Sequence, residues 1–224
     1  MKQWYIAVAV AIVYLAISIV FKAWPWSWII WVAYAAYRFG ITGSKAKSRK
    51  GRFKMEFKEV VRNRYSCKKY SDRPVEPEKL TAILEAGRLA PTAKNLQEQH
   101  VYVLQSEEAL AKLDSVTPCR YGASTVLVVA FDKSSVFTYP GGKRDSGVED
   151  ASIVATHMIL AAADEGVNSC WINFFDPEKL AQALNLPENE EILMVMDLGY
   201  AAEGTGPLPN HESRKSLADT VSYM

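Results

Sequence analysis

A chain of 224 residues, 49% hydrophobic and 23% charged, has the material for a substantial core and excludes a disordered polymer. Its formal net charge of +1 gives no general case for binding nucleic acid. That near-neutral balance hides an asymmetry, because no acidic residue occurs in the first 55 positions.

Trp4 to Phe21 is an uncharged run of 18 residues. As a helix it spans roughly 27 Å, close to the hydrocarbon thickness of a bilayer. Ala23 to Tyr37 is a second uncharged run, carrying Trp24, Trp26, Trp28 and Trp31. Such rings favour the lipid–water boundary. Two arrangements fit: a tight hairpin of two spans turning at 22–25, or one span followed by a helix lying in the interface. A cleaved signal peptide fits poorly, since its apolar centre is shorter and polar sequence follows it. Residues 1–40 are therefore expected to anchor the chain in a membrane.

Lys45, Lys47, Arg49, Lys50, Arg52 and Lys54 follow with no acid among them. Residues 41–55 read as a flexible basic linker that also lies against anionic headgroups. By the positive-inside tendency they hold the remaining domain, 56–224, on the cytoplasmic side of the cell membrane.

From Glu56 the composition is that of a mixed helix and strand domain. Helices are predicted at 57–64, 77–89, 107–114, 148–165 and 177–184, and strands at 100–104, 125–131, 167–174 and 191–198. Pro77 suits a first helical turn, and the acid after it suits the helix dipole. Residues 133–147 form a long loop, and loops of that length in compact domains tend to be functional. The helix at 148–165 has no charged residue between Ala151 and Ala163, which predicts burial in the core or between subunits. His157 on it is expected to be a hydrogen-bonded core or interface histidine.

The stretch Arg64-Tyr65-Ser66-Cys67-Lys68 carries the chemistry. If extended, it projects Arg64, Ser66 and Lys68 from one face. A guanidinium, a hydroxyl and an ammonium together make a seat for phosphate; a solvated strand edge is the plainer alternative. Cys67, Cys119 and Cys170 are odd in number and lack metal-ligand spacing, so they read as buried or free thiols. The dinucleotide fingerprint G-x-G-x-x-G, a complete P-loop, zinc-type spacing of histidines and the G-x-S-x-G elbow are all missing. No metal site and no residue acting as a nucleophile or general base is expected.

From Val60 to its end the chain resembles the nitroreductase family of FMN flavoproteins, most closely a clostridial-type subgroup. The resemblance rests on 64–75, on Leu84 to Gln97, on Asp145-Ser146-Gly147 with Asp150-Ala151-Ser152 and His157-Met158, and on Cys170-Trp171-Ile172, Leu198-Gly199-Tyr200 and His211-x-x-Arg214-Lys215. It implies an α+β fold, a nitroreductase-like FMN-binding α/β sandwich, here preceded by one or two transmembrane helices. It further implies a homodimer holding FMN at its interface. Position by position, Arg64, Ser66 and Lys68 would hold the phosphate and ribityl chain, with Tyr65 contributing backbone and Arg214 joining from the tail. Pro91, Thr92 and Asn95 match the loop that reaches the flavin of the other subunit. Trp171, Ile172, Asn173 and Phe174 match the strand end along the flavin ring, where a backbone N–H stabilises the reduced form.

The implied activity is hydride transfer from NAD(P)H through FMN to nitroaromatic, quinone-like or other conjugated acceptors. The alternatives on the same fold are a non-catalytic flavin-binding membrane module, or a dehalogenating or flavin-fragmenting enzyme. Two departures stand out: Glu98-Gln99 replaces the family's frequent Pro-Trp, and Phe174 stands where many members have glycine.

Overall fold

The computed structural model of the protein describes residues 55–224. The expected anchor, and the linker apart from Met55, lie outside the described residues. Among those described, no helix is long and apolar enough to cross a membrane.

The helices are α1 Phe57–Asn63, α2 Pro77–Arg88, α3 Glu107–Asp114, α4 Gly147–Asp164 and α5 Pro177–Leu184. The strands are β1 Gln99–Leu104, β2 Thr125–Asp132, β3 Asn168–Ile172 and β4 Glu190–Gly199. They form one sheet in the order β1-β2-β4-β3, antiparallel at every pairing. A bulge after Val129 leaves Leu193 of β4 without an opposite residue.

The continuous apolar run of β2 follows from its place inside the sheet, with both faces covered. Leu127, Val129 and Phe131 join a core with Ile83 of α2 and Val154 and Met158 of α4. The alternate residues Val126, Val128 and Ala130 join a second core with Leu113 of α3 and Leu180 of α5. The period of two thus assigns each side chain to one of two helical layers. A Cβ on Gly87 would lie 2.8 Å from Met158 Cγ, so α2 and α4 approach closely only because this position has no side chain.

The helix ends follow from their caps. Ser106 Oγ accepts from Ala109 N at 3.2 Å to open α3. Asp176 Oδ1 accepts from Glu178 N and Lys179 N at 3.1 and 3.2 Å to open α5.

Helix α4 has an exposed side in the single chain, carrying Val148, Ile153, Thr156 and His157, so of the two expected settings this stripe is not in the core and burial between subunits is the one left open. His157 is not in the core, and its Nδ1 lies 2.8 Å from Ile153 O. Ser, Thr and His carry no formal charge, so composition alone did not separate this stripe from a buried face.

Candidate functional site

The cavity is assembled from the end of α1 outward. Arg64 closes that helix by donating its backbone N–H to Val60 O, and the chain then turns extended. Ser66 pairs in parallel with Ser169, and Cys67 N donates to Ser169 O at 3.0 Å. The extended geometry alternates the side chains as expected. Cys67 is fully buried, Lys68 is exposed, and Arg64 and Ser66 are half-buried. Burial pushes the Cys67 thiol up, which makes it a packing residue and not a reactive one.

The tail is brought back by the same stretch. Ser71 N donates to Tyr200 O at 2.8 Å and Ala202 N to Lys69 O at 3.0 Å. A Cβ on Gly199 would stand 2.8 Å from Tyr70 Cδ1, so the glycine permits this close crossing. The result is a cavity of about 290 Å³ lined by Arg64, Tyr65, Ser66 and Lys68 from one side and Leu208, Asn210, His211 and Arg214 from the other. The Tyr65 and His211 rings meet edge-on, with centroids 6.3 Å apart.

Arg214 is held in place through one nitrogen, Nη1, which donates to the carbonyls of His211 and Ser213. Its other donors stay available. Among the described residues no carboxylate forms an ion pair with Arg64, Lys68 or Arg214. Three cations and a hydroxyl around one cavity, without an acid, suit an anionic ligand with several acceptor oxygens. The residues present therefore fit the phosphate of a flavin mononucleotide.

A larger cavity of about 990 Å³ lies beside α5. Its lining includes Asp176, Glu178, Glu188, Glu190 and Glu191 against Lys133 alone, which opposes an anion. Among the described residues no group of His, Cys, Asp and Glu is placed to hold a metal ion.

Strand β3 continues from the Ser66 pairing to a second predicted cluster. From Ser169 to Asn173 is roughly 13 Å of extended chain. Trp171 Nε1 donates to Asn173 Oδ1 at 2.7 Å. Ile172 is buried in the core, so it offers only backbone to a ligand. The Phe174 ring is 71% exposed. Its carbonyl is fixed by Thr117 Oγ1 at 2.6 Å, and the same hydroxyl accepts from Cys119 N at 3.2 Å.

Pro91, Thr92 and Asn95 do not line the basic cavity of their own chain. They sit in a tight loop where Lys94, Asn95 and Gln97 all take positive φ, at 52°, 56° and 57°. Such backbone is costly for residues with a Cβ and persists where surrounding contacts impose it. Here the contacts are Ala93 N to Asp150 Oδ1 at 2.9 Å and Gln97 N to Thr92 Oγ1 at 3.0 Å.

The structure thus brings Arg64, Tyr65, Ser66, Lys68 and Arg214 around one cavity, sets 171–174 farther along the adjoining strand, and places 91–95 apart. Asn210 in the cavity and Thr117 behind Phe174 had no signal in the sequence. The spacing His211-x-x-Arg214 was visible there, though the part His211 takes in the wall was not.

A four-stranded antiparallel sheet between helical layers, with a basic cavity of about 290 Å³ at one edge, defines a cofactor-binding α+β domain. The profile of the Nitroreductase family matches residues 61–117 and 118–200, and the chain belongs to that family. A protein of Methanothermobacter thermautotrophicus, provisionally named NADH dehydrogenase/NAD(P)H nitroreductase, is 31% identical over 68% of this chain and 81% of its own. The crystal structure of a nitroreductase family protein from Clostridium difficile 630 is 36% identical, with a TM-score of 0.71, over 75% of this chain and 98% of that one. A protein described as an FMN-dependent nitroreductase from Clostridium difficile R20291 is 27% identical, with a TM-score of 0.57, over 70% of this chain and 96% of its own.

Proposed function

We propose that this chain is a membrane-anchored, homodimeric FMN oxidoreductase. It takes reducing equivalents from NAD(P)H and passes them to nitroaromatic, quinone-like or other conjugated acceptors, with its folded domain facing the cytoplasm. The observation that carries the reading is the set of acid-free cations, Arg64, Lys68 and Arg214, around the cavity at Ser66. Relatives named for NAD(P)H nitroreductase activity and for FMN dependence support it.

In this reading Arg64 and Arg214 hold the phosphate by paired N–H donors, Lys68 adds a point charge, and Ser66 donates a hydroxyl. Bound FMN supplies hydride chemistry between the reductant and the acceptor. The chain's part is to hold, orient and shield. Thr117 fixes the Phe174 carbonyl, so the backbone at the end of β3 keeps a set direction. The scheme asks for no nucleophile or general base from the protein, in keeping with the absence of any such motif from the sequence.

The dimer is supported by the uncharged stripe on α4, where Val148 and Ile153 stand exposed beside Thr156 and His157. A second copy covers such a stripe and brings Pro91, Thr92 and Asn95 to its partner's flavin. The anchor is supported by the uncharged runs 4–21 and 23–37 and the basic residues after them.

The test is a spectrum of the detergent-solubilised full chain. It is expected to be yellow as purified or after adding FMN, to bleach with NAD(P)H, and to recover colour with a quinone or nitroaromatic. A colourless protein that takes up no FMN overturns the reading.

A further inference from the structure

Helix α1 is fastened to the domain on one side and bare on the other. Met55 N donates to Asp164 Oδ1 at 3.2 Å, which ties the start of α1 to the end of α4. Val60 is buried, and Arg64 N closes the helix on Val60 O at 3.1 Å. Outward stand Phe57 and Val61, 69% and 50% exposed, one helical turn apart. At about 3.6 residues per turn, Lys58 and Arg62 continue the same face, so the four side chains span an arc of roughly 140°. Glu59 falls beyond that arc.

That face borders an open groove of about 780 Å³, whose other wall is His211, Glu212 and Arg214 of the tail. Glu212 is the single acid among the lining residues. Arg214 also lines the phosphate cavity, so the cations left for another partner are Lys58 and Arg62. Among the described residues neither of them forms an ion pair. Exposed apolar side chains beside unpaired cations on one helix face suit the boundary between lipid and water. The place in the chain agrees: before Met55 come the uncharged runs 4–21 and 23–37 and six cations between 45 and 54, with no acid until Glu56. A second copy of the chain is the competing occupant. The uncharged stripe that supports the dimer lies along 148–157, however, and α1 meets α4 at Asp164, roughly 10 Å farther along that helix. The core of a protein interface is also depleted in charge, whereas half of this face is cationic.

We propose that the exposed face of α1 docks on an anionic lipid surface. Phe57 and Val61 enter the headgroup layer, while Lys58 and Arg62 pair with lipid phosphates. The proposal rests on the anchored reading for the nearness of a bilayer. Its consequence is orientation: a docked α1 fixes which side of the domain faces the lipid. Arg64 caps α1 and also lines the phosphate cavity, so the docked helix and the flavin site are joined with no loop between them.

The test places the full chain in nanodiscs of phosphatidylcholine alone, or of equal parts phosphatidylcholine and phosphatidylglycerol. Hydrogen exchange of the 57–63 amides is followed in both discs and in detergent, with α5 as the internal reference. Exchange in α1 is expected to be roughly tenfold slower in the anionic discs, the effect of two cations near a charged surface, while α5 is unchanged. Lys58→Glu combined with Arg62→Glu should abolish the difference between the discs, and so should Phe57→Ser combined with Val61→Ser. Each variant is compared with itself across the two discs, so any loosening of α1 by the substitution cancels. No slowing in the wild-type chain, or slowing that charge reversal leaves intact, overturns the proposal. Equal protection in detergent and in both discs marks a protein contact such as a second copy, and overturns it too. Extraction of vesicles with alkaline carbonate tests the anchor separately. A chain that resists extraction but shows no slowing in α1 overturns the docking face alone. A chain that is stripped yet still shows the slowing in anionic discs supports the face and overturns the anchor.

Discussion

Ser66 and Ser169 pair in parallel, so the stretch 64–68 runs alongside the free edge of β3 as a short extra strand. This one relationship lays out the site. It turns Cys67 into the core, where Cys170 of the same layer also lies, and leaves Arg64, Ser66 and Lys68 on the side the tail returns to. It also aligns the cations with the near end of a strand whose far end carries Trp171 to Phe174.

The first prediction concerns the cations. Arg64→Ala combined with Lys68→Ala removes two charge-assisted partners, each worth about 1.5–3 kcal/mol. FMN affinity, read by quenching of flavin fluorescence, should fall by roughly two to four orders of magnitude. Arg214→Ala alone should cost about one to two. Unchanged affinity in the double variant removes the phosphate assignment.

Phe174 separates holding flavin from choosing the acceptor. Its ring is exposed, and its carbonyl is fixed independently by Thr117. Phe174→Ala is therefore expected to leave FMN affinity within about twofold and stability within about 0.5 kcal/mol. Its kcat/KM for a bulky quinone should rise relative to that for a small one. An unchanged ratio between the two acceptors means that the ring does not border the acceptor space.

Gly147, the first residue of α4, offers a stability test. A Cβ there would lie 2.2 Å from Phe131 Cε2 and 2.5 Å from Cδ2, inside the core that joins α4 to the sheet. Gly147→Ala should cost about 1–3 kcal/mol through forced repacking. Gly206→Ala, where a Cβ meets nothing within 4 Å, serves as the control and should be close to neutral. Equal melting temperatures for the two variants would contradict the packing described.

The parts of this fold that local chemistry dictates were legible in the sequence. The predicted bounds of α3 and α5 match the structure because capping residues, Ser106 and Asp176, stand before apolar residues at helical spacing. The alternation at 64–68 was equally readable, since extended chain has only two faces. What escaped depends on contacts distant along the chain. Asn210 enters the cavity only because Ala202 binds Lys69 and brings the tail back. Glu98 was visible as a departure from the family pattern. Its burial follows from the loop folding onto α4, where Ala93 N donates to Asp150, and no local periodicity encodes that.

Asp197 of β4 makes the last case, because it is a fully buried acid with both carboxyl oxygens lacking a donor. Burial dominates its environment and pushes its carboxyl up to about 9, against the opposing pull of Arg120. That guanidinium is itself held by Asp114 through bonds of 2.7 and 2.6 Å. The sign follows from comparing the two states. An unfolded Asp loses its proton near 3.9, whereas folded Asp197 keeps it to about 9. Between those values the folded chain binds the extra proton, so raising the pH favours unfolding by at most about 1.4 kcal/mol per pH unit. Glu98 gives a slope of the same sign, but one that ends near neutrality. The interval from pH 7.5 to 9 therefore separates Asp197 from Glu98. The buried thiols Cys67 and Cys170, also pushed up by burial, add to the slope there but equally with and without Asp197, so the comparison with Asp197→Asn isolates it. Wild-type stability, followed by urea unfolding of the detergent-solubilised chain, should decline across that interval. Asp197→Asn, which has no proton to lose, should show a distinctly flatter profile there. Parallel profiles for the two proteins would mean that Asp197 is already ionised in the fold, with a donor supplied from elsewhere.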